Sequence, residues 1–576
     1  VVTELRDQRW RLMTLCVLFA GCAVLLLYRT YSYQVVEYQR FKDLASAEHQ
    51  ERKPIIPRRG DLLDRNGQPL AVSVMYDSLY AYPKLVKDPR AVATTLARIT
   101  SDQPDQFLAK LQSGQKSAVL LKSKLPEEAS TKIASLALPG VLLQREPFRS
   151  YPEGSIAPQV LGFVGKDFKG LAGVELSLDQ ELGGEPGVLA IEQDTTGAAI
   201  ALGKRQLVPP RDGSDVLLTI DRYIQRMVER ELKDAIKDNK AKSGMILVMD
   251  PKTGGVLAMA SEPSYDLSAP DFFDPKRQEL YRPQAATDFY EPGSVMKVVT
   301  MASALEEKLV NPNTTFQDTG VAKVGGVTIR NWDYGSHGTE TMTQVLINSC
   351  NIGAQYVAGL LGPERFYRYI EAFGFGKESG IDLPGESPGM VRTNAEPNWS
   401  RVDLATNSYG QGIAVTGVQM LNAVSAIANN GVLMKPQIVR GYRQGESVRE
   451  VAPVQQRRVV SPETAKLLTD MLIHVVEDNS LKLSVVPGYK IAGKTGTADL
   501  PTAAGYTSGV TYASQVGFAP VPDPKFSLLV RIDGAEKLYG GQVAAPVFKK
   551  IMEQLFVYMK IPPTEPVKPS PTPVRR

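Results

Sequence analysis

A run of 17 residues without a charged side chain, residues 12–28, constrains this chain more than any other feature of its sequence. In a helix that rises about 1.5 Å per residue, the run can cross most of a hydrocarbon core of ~30 Å. Arg6, Arg9 and Arg11 precede it and aromatic residues flank both ends, a pattern typical of a membrane helix whose amino-terminal end stays in the cytoplasm. We therefore expect one transmembrane helix over 12–28, residues 1–11 in the cytoplasm, and the rest of the chain on the far side.

Two other interpretations of this segment were weighed. A cleaved signal peptide would carry a small-x-small site soon after a shorter apolar core, whereas here the apolar run continues to Tyr28. Residues 19–22 are similar to a lipoprotein cleavage box, but Phe19 takes the place of the usual aliphatic residue. A membrane anchor is therefore favoured, and whether Cys22 is lipidated stays open.

Composition excludes several classes of protein. Apolar residues make up 43% of the 576 residues, enough for more than one globular domain, and 66 basic residues nearly balance 62 acidic ones. The chain therefore lacks the basic excess that favours nucleic acid as a partner. The three cysteines and three histidines have no zinc-ligand spacing, so we expect no metal, no organic cofactor and no disulfide scaffold. Cys350 is expected to be a free, buried thiol, and His337 a solvated loop histidine.

The sequence beyond the apolar run divides into segments of different character. Residues 29–55 favour a stalk that continues the membrane helix. Residues 56–235 are β-rich and carry no catalytic pattern, and an Asn-Gly pair at 66–67 between two apolar runs predicts a hairpin. Over 236–560, strands alternate with amphipathic helices, which predicts an α/β or α+β domain. Residues 561–576 contain six prolines and are expected to form a disordered tail.

A serine and a lysine at 294 and 297 stand at the start of a helix-permissive segment. In a helix, side chains three residues apart lie roughly 5 to 6 Å apart at Cβ, so the amine of Lys297 can take the proton of the Ser294 hydroxyl. Backbone N–H groups at a helix start also favour the negative charge that forms when such a serine attacks a carbonyl. The pair predicts a nucleophile and a base that need no histidine.

Ser-x-x-Lys alone is a weak signal, because residues 113–116 also match it. Two further patterns strengthen the prediction. Ser349 and Asn351 form the only Ser-x-Asn of the chain, and residues 494–497 read Lys-Thr-Gly-Thr. Residues 242–244 and 252–254 also match Lys-Ser/Thr-Gly, but both precede Ser294 and break the order of the three motifs.

The ordered set of Ser-x-x-Lys, Ser-x-Asn 52 residues after Lys297, and Lys-Thr-Gly-Thr 143 residues after Asn351 is the signature of penicillin-binding proteins and related β-lactamases. On these motifs the chain resembles a class B penicillin-binding protein, most like the FtsI-like division type or its sporulation relatives, over nearly its whole length. Supporting matches lie outside the three motifs, at 59–61, 64–67, 149–154, 170–175, 250–254 and 409–412.

The resemblance implies a fold and a reaction. The fold is an α/β (α+β) serine transpeptidase domain, a sheet flanked by helices, preceded by an elongated β-rich pedestal of the dimerisation type and one transmembrane helix. The nucleophile is expected to attack the carbonyl between the two terminal D-alanines of a peptidoglycan stem peptide, and a second stem amine then resolves the acyl-enzyme. A charged Lys494 would hold the terminal carboxylate, and the N–H groups of Ser294 and Thr497 would form the oxyanion hole. The implied catalytic residues are Ser294, Lys297, Ser349, Asn351 and Lys494, and the implied substrate-binding residues are Thr495, Gly496 and Thr497.

The resemblance also implies partners and a location. The ligands would be stem peptides ending in D-Ala-D-Ala and β-lactams, and the protein partners a polytopic glycan polymerase of the SEDS/FtsW-like type and other division membrane proteins. The location would be the bacterial inner (cytoplasmic) membrane, crossed once, with a large extracytoplasmic domain. Division, elongation and sporulation stay open, as do the acceptor residue, the oligomeric state and β-lactam selectivity.

Other functions remain as alternatives. A serine β-lactamase or a β-lactam sensor would share the three motifs, but the long pedestal and the single anchor count against both. A catalytically silent divisome scaffold would recruit partners through residues 56–235, although the intact Ser294 and Lys297 favour an enzyme. A carboxypeptidase side activity is compatible with the same site.

Overall fold

The structure, a computed structural model, describes residues 2–42, 50–115, 118–192, 205–269, 273–478, 482–502, 505–536 and 539–566. By compactness the chain divides into two units, one of residues 1–58 with 184–212 and one of residues 59–183 with 213–576. Most of the tail predicted over 561–576 lies outside the described residues.

The first unit contains the apolar helix and a small sheet. The helix spans Val2–Tyr31 and continues as a π-helical turn over Ser32–Val36. In the described residues it is the one helix long and apolar enough to cross a membrane, which confirms the predicted single apolar helix. The sheet joins the antiparallel strands Gln50–Ile55, Gly187–Glu192 and Arg205–Val208.

In the second unit, a mixed sheet is built around the long strand Pro69–Ala81, and within it Leu62–Leu63 and Asp215–Leu218 pair in parallel. The Asn-Gly pair at 66–67 turns the chain back from Leu62–Leu63 into this strand, with Gly67 at φ +80°, so the predicted hairpin is confirmed. The strand order is Ser447–Glu450, Val439–Gln444, Asp215–Leu218, Leu62–Leu63, Pro69–Ala81 and Val119–Leu125, and Val141–Ser150 also pairs with Pro69–Ala81. Residues far apart in the chain, 215–218 and 439–444, thus share one sheet.

Three helices cover the outer end of this sheet, Pro89–Thr100, Pro104–Leu111 and Glu127–Ser135. The first begins where the Asp88 side chain accepts hydrogen bonds from the N–H groups of Arg90 and Ala91. Its apolar face packs Leu96 against buried Leu79 and Phe107, which form a small separate core.

The sequence segments 59–61, 149–154 and 170–175 meet in a buried ion-pair network. Glu175, which is fully buried, accepts from Arg59 Nε at 2.7 Å through one carboxylate oxygen and from Arg149 Nε at 2.6 Å through the other. Arg59 also pairs with Asp179 at 2.7 Å. Each charge therefore has an opposite charge beside it, and the network holds three distant segments together.

The main sheet has five antiparallel strands in the order Val256–Glu262, Ser243–Met249, Phe526–Asp533, Gly505–Ala519 and Ala492–Thr502. Alternate residues of Ser243–Met249 contact different helical layers, so this almost wholly apolar strand is buried on both faces. Helices Arg222–Asp238 and Gly540–Tyr558 cover one face. The helices on the other side are Lys297–Glu306, Asn351–Ala372, Gly417–Ala428 and Pro462–Glu477. The structure thus has a sheet flanked by helices and preceded by a β-rich region, which confirms the predicted fold class.

Shorter elements complete the unit. Helices or single helical turns span Pro83–Leu85, Pro158–Leu161, Gly173–Ser177, Asp179–Gly183, Pro275–Tyr281, Gln284–Thr287, Gly293–Met296, Met342–Ile347 and Arg401–Asn407. Two-stranded pairings join Phe289–Tyr290 with Val415–Thr416, Thr315–Asp318 with Gly338–Thr341, Val321–Val324 with Val327–Arg330, and Val432–Met434 with Gln455–Arg458.

Candidate active site

Ser294 lies in the 3-10 turn Gly293–Met296, immediately before the helix Lys297–Glu306. The turn needs glycine at 293, because φ is +56° there and a Cβ atom would lie 2.5 Å from the carbonyl oxygen of Thr497. The backbone of the first motif thus lies directly against the strand that carries the third. Ser294 is half-buried while its neighbours in the turn are buried.

The amine of Lys297 lies at the centre of the site. The side chain is 1% exposed, and Nζ is 3.0 Å from Ser294 Oγ, 2.8 Å from Asn351 Oδ1 and 3.2 Å from Ser349 Oγ. Nζ also lies 2.5 Å from the carbonyl oxygen of Ser349. Burial, and then the nearby charge of Lys494, hold the pKa of Lys297 well below its usual value. A neutral amine placed here can accept the proton of the Ser294 hydroxyl.

The second motif lies in a turn between the helices Met342–Ile347 and Asn351–Ala372. Ser349 has φ +55°, a left-handed backbone conformation that a non-glycine residue rarely adopts. Its hydroxyl is 3.2 Å from the amine of Lys297 and 3.1 Å from that of Lys494, so it bridges the two lysines. Asn351 directs its amide oxygen to Lys297 because its Nδ2 donates to the carbonyl of Arg330 at 3.0 Å.

The third motif lies on Ala492–Thr502, an edge strand of the main sheet. Lys494 is 2% exposed, and burial lowers its pKa to about 7. The family resemblance implies a charged Lys494, and its burial in the structure disfavours that charge.

After Lys494, successive residues of the strand face the cleft and the protein interior in turn. Thr495 and Thr497 are half-buried, whereas Gly496 is buried and a Cβ atom there would lie 2.5 Å from Ser514 Oγ. The hydroxyl oxygen of Thr497 accepts a hydrogen bond from the N–H of Gly540 at 3.0 Å. The close approach explains why glycine separates the two threonines.

Residues 409–412 pack against the turn Gly293–Met296, which carries Ser294. The carbonyl of Gly410 accepts from the N–H of Gly293 at 3.0 Å, and a Cβ atom at Gly410 would lie 2.1 Å from the carbonyl oxygen of Gly293. The N–H of Gly412 donates to Glu291 Oε1 at 2.9 Å. This family segment therefore fixes the backbone on which Ser294 stands.

Sequence reasoning missed one residue that shapes the second motif. Asn331 Oδ1 accepts from the N–H groups of Asn351 at 3.0 Å and Ile352 at 3.3 Å, at the start of their helix. Its amide nitrogen donates to Asp318 at 2.8 Å. A single asparagine between two short strands gives no sequence signal, because its partners are distant in the chain.

The remaining sequence predictions near the site have mixed outcomes. Cys350 is a free and fully buried thiol, as predicted, and burial raises its pKa to about 12. The expectation of a solvated His337 is wrong, since its side chain is 18% exposed and its Nε2 lies 3.0 Å from Asp333 Oδ2. Of the Ser-x-x-Lys match at 113–116, Lys116 lies outside the described residues.

Comparison with known proteins gives two family models that match the chain. The penicillin binding protein transpeptidase domain matches residues 244–553, and the penicillin-binding protein dimerisation domain matches residues 54–218. All eight predicted site residues lie within the first of these ranges. Together the two models account for most of the chain.

Individual relatives match along nearly the whole chain. Stage V sporulation protein D of Bacillus subtilis is 35% identical over 542 residues, 92% of this chain and 83% of that protein. The peptidoglycan D,D-transpeptidase FtsI of Escherichia coli K12 is 31% identical over 571 residues, 96% of this chain and 92% of that protein. Penicillin binding protein 3 of Mycobacterium tuberculosis, solved in complex with aztreonam, superposes with a TM-score of 0.69 at 28% identity over 90% of this chain and all of that one. The chain therefore belongs to the class B penicillin-binding proteins.

Proposed function

We propose that this protein is a membrane-anchored D,D-transpeptidase that cross-links peptidoglycan stem peptides through an acyl-enzyme on Ser294. The observation that carries the proposal is the position of the buried Lys297 amine, 3.0 Å from Ser294 Oγ, with its pKa held low by burial and by Lys494. The site thus supplies a nucleophile and a base without a histidine.

The acylation step follows from these positions. Ser294 Oγ bonds to the carbonyl carbon between the two D-alanines, and its proton passes to Lys297 Nζ. The backbone of Thr497 lies against that of Gly293, which supports an oxyanion hole formed by the N–H groups of Ser294 and Thr497. One such donor contributes about 3 to 4 kcal/mol in other enzymes.

Collapse of the tetrahedral intermediate breaks the peptide bond and releases D-alanine. The leaving nitrogen needs a proton, and Ser349 can relay one because its hydroxyl bridges the amines of Lys297 and Lys494. The amine of a second stem peptide then attacks the acyl-enzyme by the same route in reverse, which forms the cross-link and frees Ser294.

Substrate binding is assigned to the strand of the third motif. A terminal carboxylate beside Lys494 would stabilise the charged amine and raise its pKa from about 7. Binding of the substrate would therefore favour the protonated form of Lys494. Thr495 and Thr497 alternate with Gly496 on the edge strand that borders Ser294, where their hydroxyls can donate to the same carboxylate. A β-lactam carries a similar carboxylate and strained amide, and would be trapped on Ser294.

The cellular role that we propose is septal cell-wall synthesis, with sporulation-specific synthesis as the alternative. Similarity to FtsI supports the first, and similarity to the sporulation protein supports the second. We place the protein in the inner membrane, with residues 1–11 in the cytoplasm, the pedestal over 56–235 and the transpeptidase domain over 236–560. A fluorescent fusion that gathers at division septa during vegetative growth would support septal synthesis, and one confined to the sporulating cell would contradict it.

A polytopic glycan polymerase of the SEDS/FtsW-like type is the partner that we propose, and the apolar helix Val2–Tyr31 is the contact. The reason is that, within the described residues, this helix is the one segment long and apolar enough to lie in a bilayer, where the helices of a polytopic partner also lie. Crosslinking from Leu18 in cells should capture the polymerase. Capture that persists when the helix is replaced by an unrelated apolar helix would contradict this contact.

The transpeptidase activity is tested with a stem pentapeptide as donor and a labelled D-amino acid as acceptor. We expect release of D-alanine together with incorporation of the label, and loss of both in Ser294→Ala. Release without incorporation would identify a carboxypeptidase, and neither reaction in the wild-type protein would favour the silent scaffold.

A further inference from the structure

Four side chains that can each bind a metal ion converge beside the second motif: Asp318, His337, Glu340 and Cys350. One ligand atom from each lies within 4.8 Å of the ligand atoms of the other three. Asp318 and Glu340 lie on the paired strands Thr315–Asp318 and Gly338–Thr341, and Cys350 caps the helix Asn351–Ala372. We refer to these four residues as the 318–350 cluster.

Among the described residues, His337 is the one basic side chain within ion-pair distance of the two buried carboxylates of the 318–350 cluster. Asp318 is fully buried and Glu340 is 2% exposed, yet within the described ranges no lysine or arginine lies within ion-pair distance of either carboxylate. The nearest basic atom is Nδ1 of His337, 3.3 Å from Asp318 and 3.6 Å from Glu340. Two buried carboxylates this close to one another are unfavourable without a cation.

Two buried atoms of the cluster also lack hydrogen-bond partners. Among the residues that the structure describes, neither Oε2 of Glu340 nor Nδ1 of His337 makes a hydrogen bond. Buried polar atoms are nearly always paired, so unpaired atoms in one small space indicate a missing ligand. Both belong to residues whose ligand atoms converge on the same point.

The orientation of His337 suits a metal ligand. Its Nε2 lies 3.0 Å from Asp333 Oδ2, so the carboxylate holds the proton on Nε2 and leaves the lone pair of Nδ1 directed at the cluster. A carboxylate behind a metal-binding histidine is the common second-shell arrangement of zinc sites. Cys350 Sγ donates to Asn331 Oδ1 at 3.4 Å and accepts from the N–H of Gly353 at 3.2 Å, so it is a thiol that must lose its proton to bind a metal ion.

We propose that Asp318, His337, Glu340 and Cys350 bind one Zn²⁺ ion that braces the second motif. One sulfur, one imidazole nitrogen and two carboxylate oxygens make a four-coordinate set that zinc accepts. The ligand atoms, all within 4.8 Å of one another, would contract to the roughly 3.3 to 3.8 Å spacing of a zinc tetrahedron. The Cys350 thiol would release its proton to solvent on binding. With four protein ligands the site is structural.

The function of the ion follows from its place in the chain. Cys350 stands between Ser349 and Asn351, and a zinc–sulfur bond would tie this turn to the paired strands Thr315–Asp318 and Gly338–Thr341. Ser349 holds a left-handed backbone that must be maintained by its surroundings. Zinc would therefore preserve the positions of the two groups that contact Lys297.

The test measures Zn²⁺ binding by the full-length chain in detergent, after treatment with a chelator and removal of the chelator. We expect one Zn²⁺ per chain, and binding at least tenfold weaker in His337→Gln and in Cys350→Ser. The matched control is His474→Gln, the same change in an exposed His474–Asp478 pair at 2.9 Å, which should bind Zn²⁺ like the wild type. Wild-type protein that takes up no Zn²⁺, or variants that bind as tightly, would overturn the proposal and leave a protonated His337 as the counter-charge.

A second readout does not depend on the folding of any variant. Co²⁺ bound to the wild-type chain should show a thiolate-to-cobalt charge-transfer band, because Cys350 is the one sulfur ligand of the cluster. A Co²⁺ spectrum with only oxygen and nitrogen ligands would overturn the proposal. Zinc removal should also slow acylation by benzylpenicillin, and restored Zn²⁺ should return it.

Discussion

Two buried clusters of charged side chains in this protein are built in opposite ways. In the pedestal, Glu175 lies between Arg59 and Arg149 at 2.7 and 2.6 Å, and although burial lowers the pKa of Arg59, Glu175 raises it above its usual value. In the cleft, Lys297 and Lys494 are just as buried, but in the described part of the chain neither forms an ion pair with a carboxylate.

The difference separates a structural network from a catalytic one. Opposite charges at contact distance keep each other ionised and hold segments together. In the cleft, burial lowers the pKa of both amines, and the charge of Lys494 lowers that of Lys297 further. A neutral lysine is useful only where a proton must be taken up. Burial of charge alone therefore does not identify an active site; in this protein the catalytic cleft is marked by buried amines beside the hydroxyls of Ser294 and Ser349.

The largest expected effect is on the nucleophile itself. Ser294→Ala removes the atom that forms the acyl bond, so covalent labelling by benzylpenicillin should be abolished, as measured by intact mass. The control Ser303→Ala changes a buried serine of the following helix whose hydroxyl donates only to the carbonyl of Val299, and it should label like the wild type. Stoichiometric labelling of Ser294→Ala would refute the assignment of Ser294.

Removal of the base should have the next largest effect. Lys297→Met keeps the length of the side chain and removes the amine, so the acylation rate constant should fall about 10³-fold, within the range for loss of a general base. The measurement is the rate of benzylpenicillin adduct formation by mass spectrometry. Near-normal kinetics would show that another group takes the proton of Ser294.

In the pedestal, the same kind of change should affect stability and leave the chemistry intact. Glu175→Gln removes the charge that Arg59 and Arg149 share, and although Arg59 keeps Asp179, the change should destabilise the fold by about 3 to 5 kcal/mol, read from the denaturation midpoint. Folded Glu175→Gln protein should still be acylated at the wild-type rate. Glu185→Gln, in an exposed pair with Arg211, is the control and should leave the midpoint unchanged. An unchanged midpoint in Glu175→Gln would contradict the structural role.

The coupling between the two lysines predicts a pH dependence. Because the charge of Lys494 lowers the pKa of Lys297, Lys494→Met should raise that pKa and move the rising limb of the acylation profile to higher pH. In the wild type, binding of the carboxylate needs charged Lys494, so the rate should fall as pH rises above about 7. A rising limb at the same pH in Lys494→Met would show that the lysines do not interact.

The smallest expected effect is at Thr497. Thr497→Ala removes one hydroxyl but keeps the backbone N–H of the proposed oxyanion hole, so acylation should slow by about tenfold or less, equivalent to one hydrogen bond. Rate constants for benzylpenicillin and for a cephalosporin provide the comparison. A loss as large as that in Lys297→Met would mean that the hydroxyl takes part in the chemistry.

A feature of the fold or the site could be predicted from the sequence only where it depends on residues that are close together in the chain or on residue type. The three motifs, the Asn-Gly hairpin and the buried Cys350 are visible because each rests on a short pattern or on residue type. The burial of His337, the role of Asn331 and the pairing of 439–444 with 215–218 are not, because each depends on residues that only the fold brings together. The 318–350 cluster was missed for the same reason, since its four ligands spread over 33 residues without a regular spacing.

The most direct test of the central claim is the intact mass of the full-length chain during hours with excess benzylpenicillin, followed by peptide mapping. If the buried lysine pair activates Ser294 in a transpeptidase, one drug molecule should add and persist on Ser294. Rapid consumption of the drug without an adduct would identify a β-lactamase, and an adduct on any other residue would contradict the site described above.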